Sequence, residues 1–261
     1  MQLFLSATAD YNLPQETFLL LMVEPRLKGE RHEVVQESLR TSPTPFAELA
    51  LDGFGNPLRR LVAPPGLFTF DFAATVETPP NQAIPGTARE TDPRELPPEV
   101  LLYTLPSRYC QSDQLARLAM GEFGSITPGG TRVNAVAEWV RTHIEYQYGT
   151  TDAMTSAYDT AVQRIGVCRD FAHLTIAFCR ALGIPARYVS GYCLELDPPD
   201  FHGWTQVYLS GAWHNVDSTF SGVRPALVPI AYGRDAADVS LLTLWGDNTF
   251  RAQSISVQRA L

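Results

Sequence analysis

The spacing of apolar and polar residues changes character along the chain. In the first part, two-residue alternation dominates. The segment "LFTFDFAATVE" places Phe68, Phe70 and Phe72 at every second position, which predicts a strand with three phenyl rings on one face. "FLLLMVEP" from Phe18 and "HEVVQESL" from His32 read as further strands, with turn chemistry in "DGFGNP" (Asp52 to Pro57) and "APPG". A small antiparallel β-domain over residues 1–76 is expected. Residues 77–100 contain six prolines. Such density removes backbone donors and resists regular structure, so this stretch reads as a linker or an extended arm, with the domain boundary inside it.

From residue 101 onward the period lengthens to that of helices. "SDQLARLAMGEFG" sets Leu115, Leu118 and Ala119 on one face, with Ser112 or Asp113 as N-cap. Val133, Val136, Val140 and Ile144 mark a second helix ending near Gly149. "AYDTAVQRIG" predicts a short helix stopped by Gly166, and Phe171, Leu174, Phe178 and Leu182 form the stripe of another, closed by "GIP". The chain then returns to strands in "ARYVSGYCLEL", "GWTQVYL" and "AWHNVDS". Helices followed by antiparallel strands define an α+β domain over residues 101–261, not alternating βαβ units.

Composition narrows the classes. With 45% hydrophobic and 18% charged residues the chain can pack a core. A net charge of −8 without a basic cluster argues against nucleic acid as a partner. The longest apolar run, "FLLLMV", is too short to span a bilayer, and the first residues lack the charged and apolar regions of a signal peptide. A cytoplasmic protein without a membrane partner is expected. The four cysteines, Cys110, Cys168, Cys179 and Cys193, form no CxxC or zinc-type spacing, so neither a metal nor a cofactor is expected.

Cys168 stands apart because it falls at the predicted start of a helix. Unpaired N–H groups and the positive end of the helix dipole favour a thiolate there and can stabilise an adjacent oxyanion. A nucleophilic cysteine also needs a base, and the base needs an orienting group. Of the five histidines, His173 is turned away from Cys168 by about 140° on its helix. His143 lies on a different helix and His32 in the β-domain, which leaves His202 and His214.

A hairpin separates these two. With Ser210 and Gly211 as turn residues, paired positions sum to 421, so Leu209 faces Ala212, Trp204 faces Asp217 and His202 faces Thr219. His202 and Asp217 become diagonal neighbours on one face, while His214 pairs with Val207 on the other. A slip of one residue would reverse the assignment. The register thus yields a candidate triad: Cys168, then His202 34 residues on, then Asp217 15 further. A metallohydrolase built on His202, His214 and Asp217 is disfavoured by the same register.

On these motifs, "GVCRDFAHLTIAFCRALGIPARYVSGY" followed by "HGWTQVYLSGAWHNVDST", the chain resembles bacterial transglutaminase-like proteins. The resemblance spans about residues 101–250, and "YNLPQETFLLL" and "FDFAATVE" are similar to the β-rich N-terminal region common in these proteins. It implies a papain-like, transglutaminase-core fold, with Cys168 as nucleophile, His202 from the H-A-W motif and Asp217 from the D-P-T motif. Two positions depart from the pattern: Gly203 replaces the usual Ala, and Ser218 the usual Pro. Trp204 keeps its motif position and is expected beside the triad. Tyr146, Gln147 and Tyr148 are candidates for the second oxyanion donor. The expected activity is acyl transfer from an amide bond of a protein or peptide, with hydrolysis favoured. A crosslinking transglutaminase and a non-catalytic scaffold are the alternatives.

Overall fold

A computed structural model of the chain describes residues 1–26, 31–43 and 47–260. The N-terminal part is all strand: β1 (Gln2–Leu13), β2 (Thr17–Leu21), β3 (Glu33–Ser42), β4 (Glu48–Leu51), β5 (Pro57–Ala63) and β6 (Gly66–Glu77). The alternation read from the sequence is the burial pattern of β6, whose Phe68, Phe70 and Phe72 are all in the core. Each such ring contributes about 2–3 kcal/mol of gross hydrophobic stabilisation.

The proline-rich stretch crosses the surface as an arm. Asn81 N–H donates to the Pro225 carbonyl, Gly130 N–H to that of Ala88, and Ser210 N–H to that of Arg89. After it come α1 (Pro98–Leu101), α2 (Ser112–Phe123), α3 (Gly130–His143), β7 (Glu145–Tyr146), α4 (Ala157–Gln163), β8 (Ile165–Gly166) and α5 (Cys168–Ala181). The chain finishes with β9 (Ala186–Cys193), β10 (His202–Leu209), β11 (Ala212–Val216), β12 (Leu227–Gly233), β13 (Leu242–Trp245) and β14 (Thr249–Arg259). The fold is α+β: helices packed with antiparallel sheets, and a β-rich N-terminal region.

Helix ends differ from the sequence reading. Gln111 is the cap residue of α2, with Ser112 already helical, and no side chain caps it. The second helix stops at His143, not near Gly149, because Ile144 turns extended and β7 pairs in parallel with β8. α4 ends at Arg164, which takes the left-handed conformation (φ 62°), while Gly166 lies in β8. The apolar stripe read on α5 is only part of its buried surface, since every residue from Asp170 to Arg180 is buried. It packs against α2, α3, α4, β9 and β10 and forms the centre of the core.

Three sheets carry the strands besides the β7–β8 pair: β14-β1-β6-β3, β13-β2-β5-β4 and β11-β10-β9-β12. The last two strands, grouped with the helical region in the sequence reading, return to the N-terminal part. β14 pairs antiparallel with β1 (Ala7 with Ile255), and β13 with β2 (Leu21 with Leu242).

Candidate active site

Four segments build the site: the start of α5, the β10–β11 hairpin, the loop that follows it, and β7. The hairpin has the register expected from its turn. Leu209 pairs with Ala212, Val207 with His214 and Thr205 with Val216. Ser210 and Gly211 both have positive φ (52° and 81°), the conformation a two-residue turn of this twist requires. As a result His202 and Asp217 meet: Nε2 of the imidazole lies 2.8 Å from Oδ2 of the carboxylate. His214 faces elsewhere, its Nε2 lying 3.2 Å from the Leu209 carbonyl oxygen.

Cys168 is the first residue of α5 and is half-buried. The helix start is set by Asp170, whose Oδ2 accepts the Val167 N–H at 2.9 Å and the Thr151 hydroxyl at 2.8 Å. The thiol sits against the His202 ring. Burial pulls the imidazole pKa down, but the charge and hydrogen bond of Asp217, joined by the Cys168 thiol, outweigh it and raise it to about 9. Since Nε2 is taken by Asp217, the nitrogen left to exchange a proton with the thiol is Nδ1, which is buried and makes no other hydrogen bond among the described residues. Burial alone would raise Asp217, yet the charge and hydrogen bond of His202, the Thr219 hydroxyl and the Arg224 charge hold its carboxyl below the ordinary range.

The other three thiols are environments of a different kind. Cys110, Cys179 and Cys193 are buried, and burial pushes each of them up to about 12. His173 is fully buried as well; it stacks on Tyr109 at 5.2 Å and accepts the Ala236 N–H at 3.1 Å, so it packs the core.

Among the flanking residues, Trp204 is buried, lies parallel to the His202 ring with centroids 6.1 Å apart, and donates to Asn215 Oδ1 at 2.9 Å. Burial raises Tyr146, and its hydroxyl meets the backbone of Cys168. Its ring packs edge-on to the exposed Tyr148 at 5.3 Å. Gln147 gives its backbone N–H to the Gly166 carbonyl at 3.0 Å, and among the described residues its side chain makes no hydrogen bond with Cys168.

Both departures from the family pattern have a local cause. A Cβ at Gly203 would stand 2.1 Å from the Tyr188 hydroxyl, which fills the space between β9 and β10. The Ser218 hydroxyl shares a 2.7 Å hydrogen bond with Thr175 on α5, tying the segment after the hairpin to the helix that carries Cys168. Two residues that matter to the carboxylate were not singled out from sequence. Thr219 donates to Asp217 Oδ1 from its hydroxyl (2.7 Å) and its N–H (3.0 Å), and Arg224 donates to Oδ2 at 2.9 Å. The hairpin count does place Thr219 opposite His202, whereas Arg224 follows in an irregular loop where spacing carries no signal.

A half-buried thiol at a helix start, backed by an imidazole and a carboxylate, is an arrangement suited to nucleophilic acyl chemistry. A profile of the transglutaminase-like superfamily matches residues 118–218. The chain is similar to a Cytophaga hutchinsonii protein, described as a candidate cysteine protease, at 37% identity and a TM-score of 0.92, covering 98% of this chain and 90% of that one. It is 38% identical over 122 residues to an uncharacterised protein of Mycobacterium leprae, covering 42% of each. It is also 30% identical over 194 residues to an uncharacterised protein of Mycobacterium tuberculosis, covering 67% of this chain and 58% of that protein. These matches therefore span about half the length of the two mycobacterial relatives. The chain belongs to the transglutaminase-like superfamily, a family of cysteine-dependent enzymes.

Proposed function

We propose that the protein hydrolyses a peptide or isopeptide bond of a protein or peptide substrate through Cys168, His202 and Asp217. The observation that carries this reading is the 2.8 Å bond between His202 and Asp217 on the side of the half-buried thiol. In the proposed cycle the Cys168 thiol proton passes to His202 Nδ1 and the sulfur attacks the carbonyl carbon. The developing oxyanion is met by N–H groups at the start of α5, with Tyr146 as the second donor. The imidazolium returns its proton to the leaving amine as the C–N bond breaks, and water then releases the acyl group. Asp217 keeps the ring oriented throughout. The description of the Cytophaga hutchinsonii relative supports hydrolysis over amine transfer. No metal or cofactor takes part in this cycle, and a cytoplasmic setting is part of the proposal.

The first test is chemical. On brief treatment with iodoacetamide, intact mass and peptide mapping should find Cys168 alkylated at least tenfold faster than Cys110, Cys179 or Cys193, and C168A should take up no fast label. Equal rates at all four thiols would overturn the proposal. Substrate mixtures incubated with the full chain and a primary amine then separate the outcomes, since new termini indicate hydrolysis and incorporated amine indicates crosslinking.

A further inference from the structure

The carboxylate behind His202 is shared. Asp217 Oδ2 accepts from His202 Nε2 at 2.8 Å and from Arg224 Nε at 2.9 Å, while Oδ1 accepts the Thr219 hydroxyl and N–H at 2.7 and 3.0 Å. Arg224 is itself buried, with its guanidinium 4.1 Å from the centroid of the Phe220 ring. So the oxygen that orients the imidazole also faces a permanent cation, beyond what a Cys-His-Asp triad requires.

We infer that Arg224 is a positioning residue for this site: it pins the Asp217 carboxylate in line with His202 and limits the basicity of the imidazole by sharing the same oxygen. The inference rests on the proposed triad and assigns a fourth member to it. Its logic is electrostatic. A lone buried carboxylate stabilises an imidazolium strongly, which makes the thiolate pair easy to form but the imidazolium a weak acid. That same imidazolium must later give its Nδ1 proton to the leaving amine, and proton transfer is most efficient when the group's pKa is near the working pH. A guanidinium on Oδ2 divides the carboxylate's charge between two cations. No proton moves to or from Arg224 or Asp217; the one proton in play travels from Cys168 to His202 and on to the leaving amine.

The groups around His202 leave Arg224 as the adjustable one. Cys168 faces the ring from α5, Asp200 from the loop before β10, and Asp217 from the end of β11. Cys193 and Tyr188 on β9, and Tyr146 on β7, lie further off and act on the thiol. Among the described residues Arg224 is the one guanidinium bonded to Asp217. Arg224 and Asp217 also line a cavity of about 260 Å³ together with Asn81 and Ile84 of the arm.

The test is a titration of His202 in the full chain with ¹³C-labelled histidine, the resonance being assigned by its loss in H202Q, together with the pH profile of Cys168 alkylation. In R224Q the His202 midpoint should rise by about one unit, and the upper limb of the alkylation profile should move with it. R224K, which keeps the charge, should stay within a few tenths of the wild type. Should R224Q not fold, R224M, which retains the stem over Phe220, is read the same way. An unchanged or lowered midpoint in a folded, still selectively alkylated R224Q or R224M overturns the inference, because a loop staple alone would change melting temperature and not the midpoint. If wild-type Cys168 shows no selective alkylation, the triad reading itself fails and this inference with it.

Discussion

At position 203 a single methyl group separates this chain from the usual family pattern. The Tyr188 hydroxyl stands where that methyl would go, 2.1 Å from the built Cβ, and Tyr188 is buried, so it has little room to retreat. G203A is therefore expected to cost about 1–3 kcal/mol by overpacking. Adding Y188F should recover part of that loss, since the atom in conflict is the phenolic oxygen. Urea unfolding of the wild type, both single variants and the double variant measures this; strictly additive losses would show that the two positions do not meet. Residues of this kind were only partly legible in the sequence. Cys168, His202 and Asp217 could be named because a helix start and a two-residue turn fix where side chains point. Tyr188 and Arg224 act through contacts between segments, and no local period announces them. What the sequence shows for position 203 is that glycine is present, not what fills the space.

The element that matters most is α5, and its first turn is held by side chains rather than by propensity. Asp170 is completely buried; besides Val167 and Thr151 it takes two bonds from Arg169, at 3.1 and 3.0 Å, and Arg169 reaches on to the Asp152 carbonyl at 2.7 Å. The carboxylate thus fastens the helix start to the loop over residues 147–155. Gly166 belongs to the same device, because a Cβ there would lie 2.7 Å from Asp170 Cβ. Replacing Asp170 with Ala strands a buried N–H and the Arg169 charge, at an expected cost of about 2–4 kcal/mol. Limited proteolysis should show faster cutting within 147–155 in D170A than in the wild type, with Cys168 alkylation slowed in parallel. Equal protease resistance would rule out the fastening role. Helices and strands were legible here as types, through their periods of about 3.6 and 2 residues. Their ends were not, because the pairing of β7 with β8 decides where α3 and α4 stop, and that pairing joins segments about twenty residues apart in the chain.

On the scale of the molecule, the sheets bind the two ends of the described chain together. The expectation of a β-domain at 1–76, an arm at 77–100 and a core at 101–261 follows the order of residues, whereas the sheets place β13 and β14 beside β2 and β1. The sequence had little means of showing this. β14 reads "TFRAQSISVQR" and fully buries only Ile255, so backbone hydrogen bonds to β1, which carry no sequence signature, do much to set its place. Deleting residues 249–260 leaves one long edge of β1 without its partner, and exposed edges invite pairing with other chains. Light scattering of the shortened chain should therefore show oligomers or aggregates under conditions where the full chain does not; an unchanged mass would mean that β14 is dispensable for the edge.

β14 also reaches the neighbourhood of the thiol's partner. Gln253 donates to Asp200 Oδ1 at 2.9 Å and Arg259 to Glu195 at 2.8 Å, both in the loop that leads into His202. Protein synthesis runs in one direction, so these braces leave the ribosome after Cys168, His202 and Asp217 have all been made. A nascent chain halted before β14 carries every atom of the triad beside a loop that lacks the Gln253 and Arg259 bonds. The order of synthesis thus sets the Gln253 and Arg259 braces after the residues they steady, so the loop before His202 gains these two bonds only once β14 has been made.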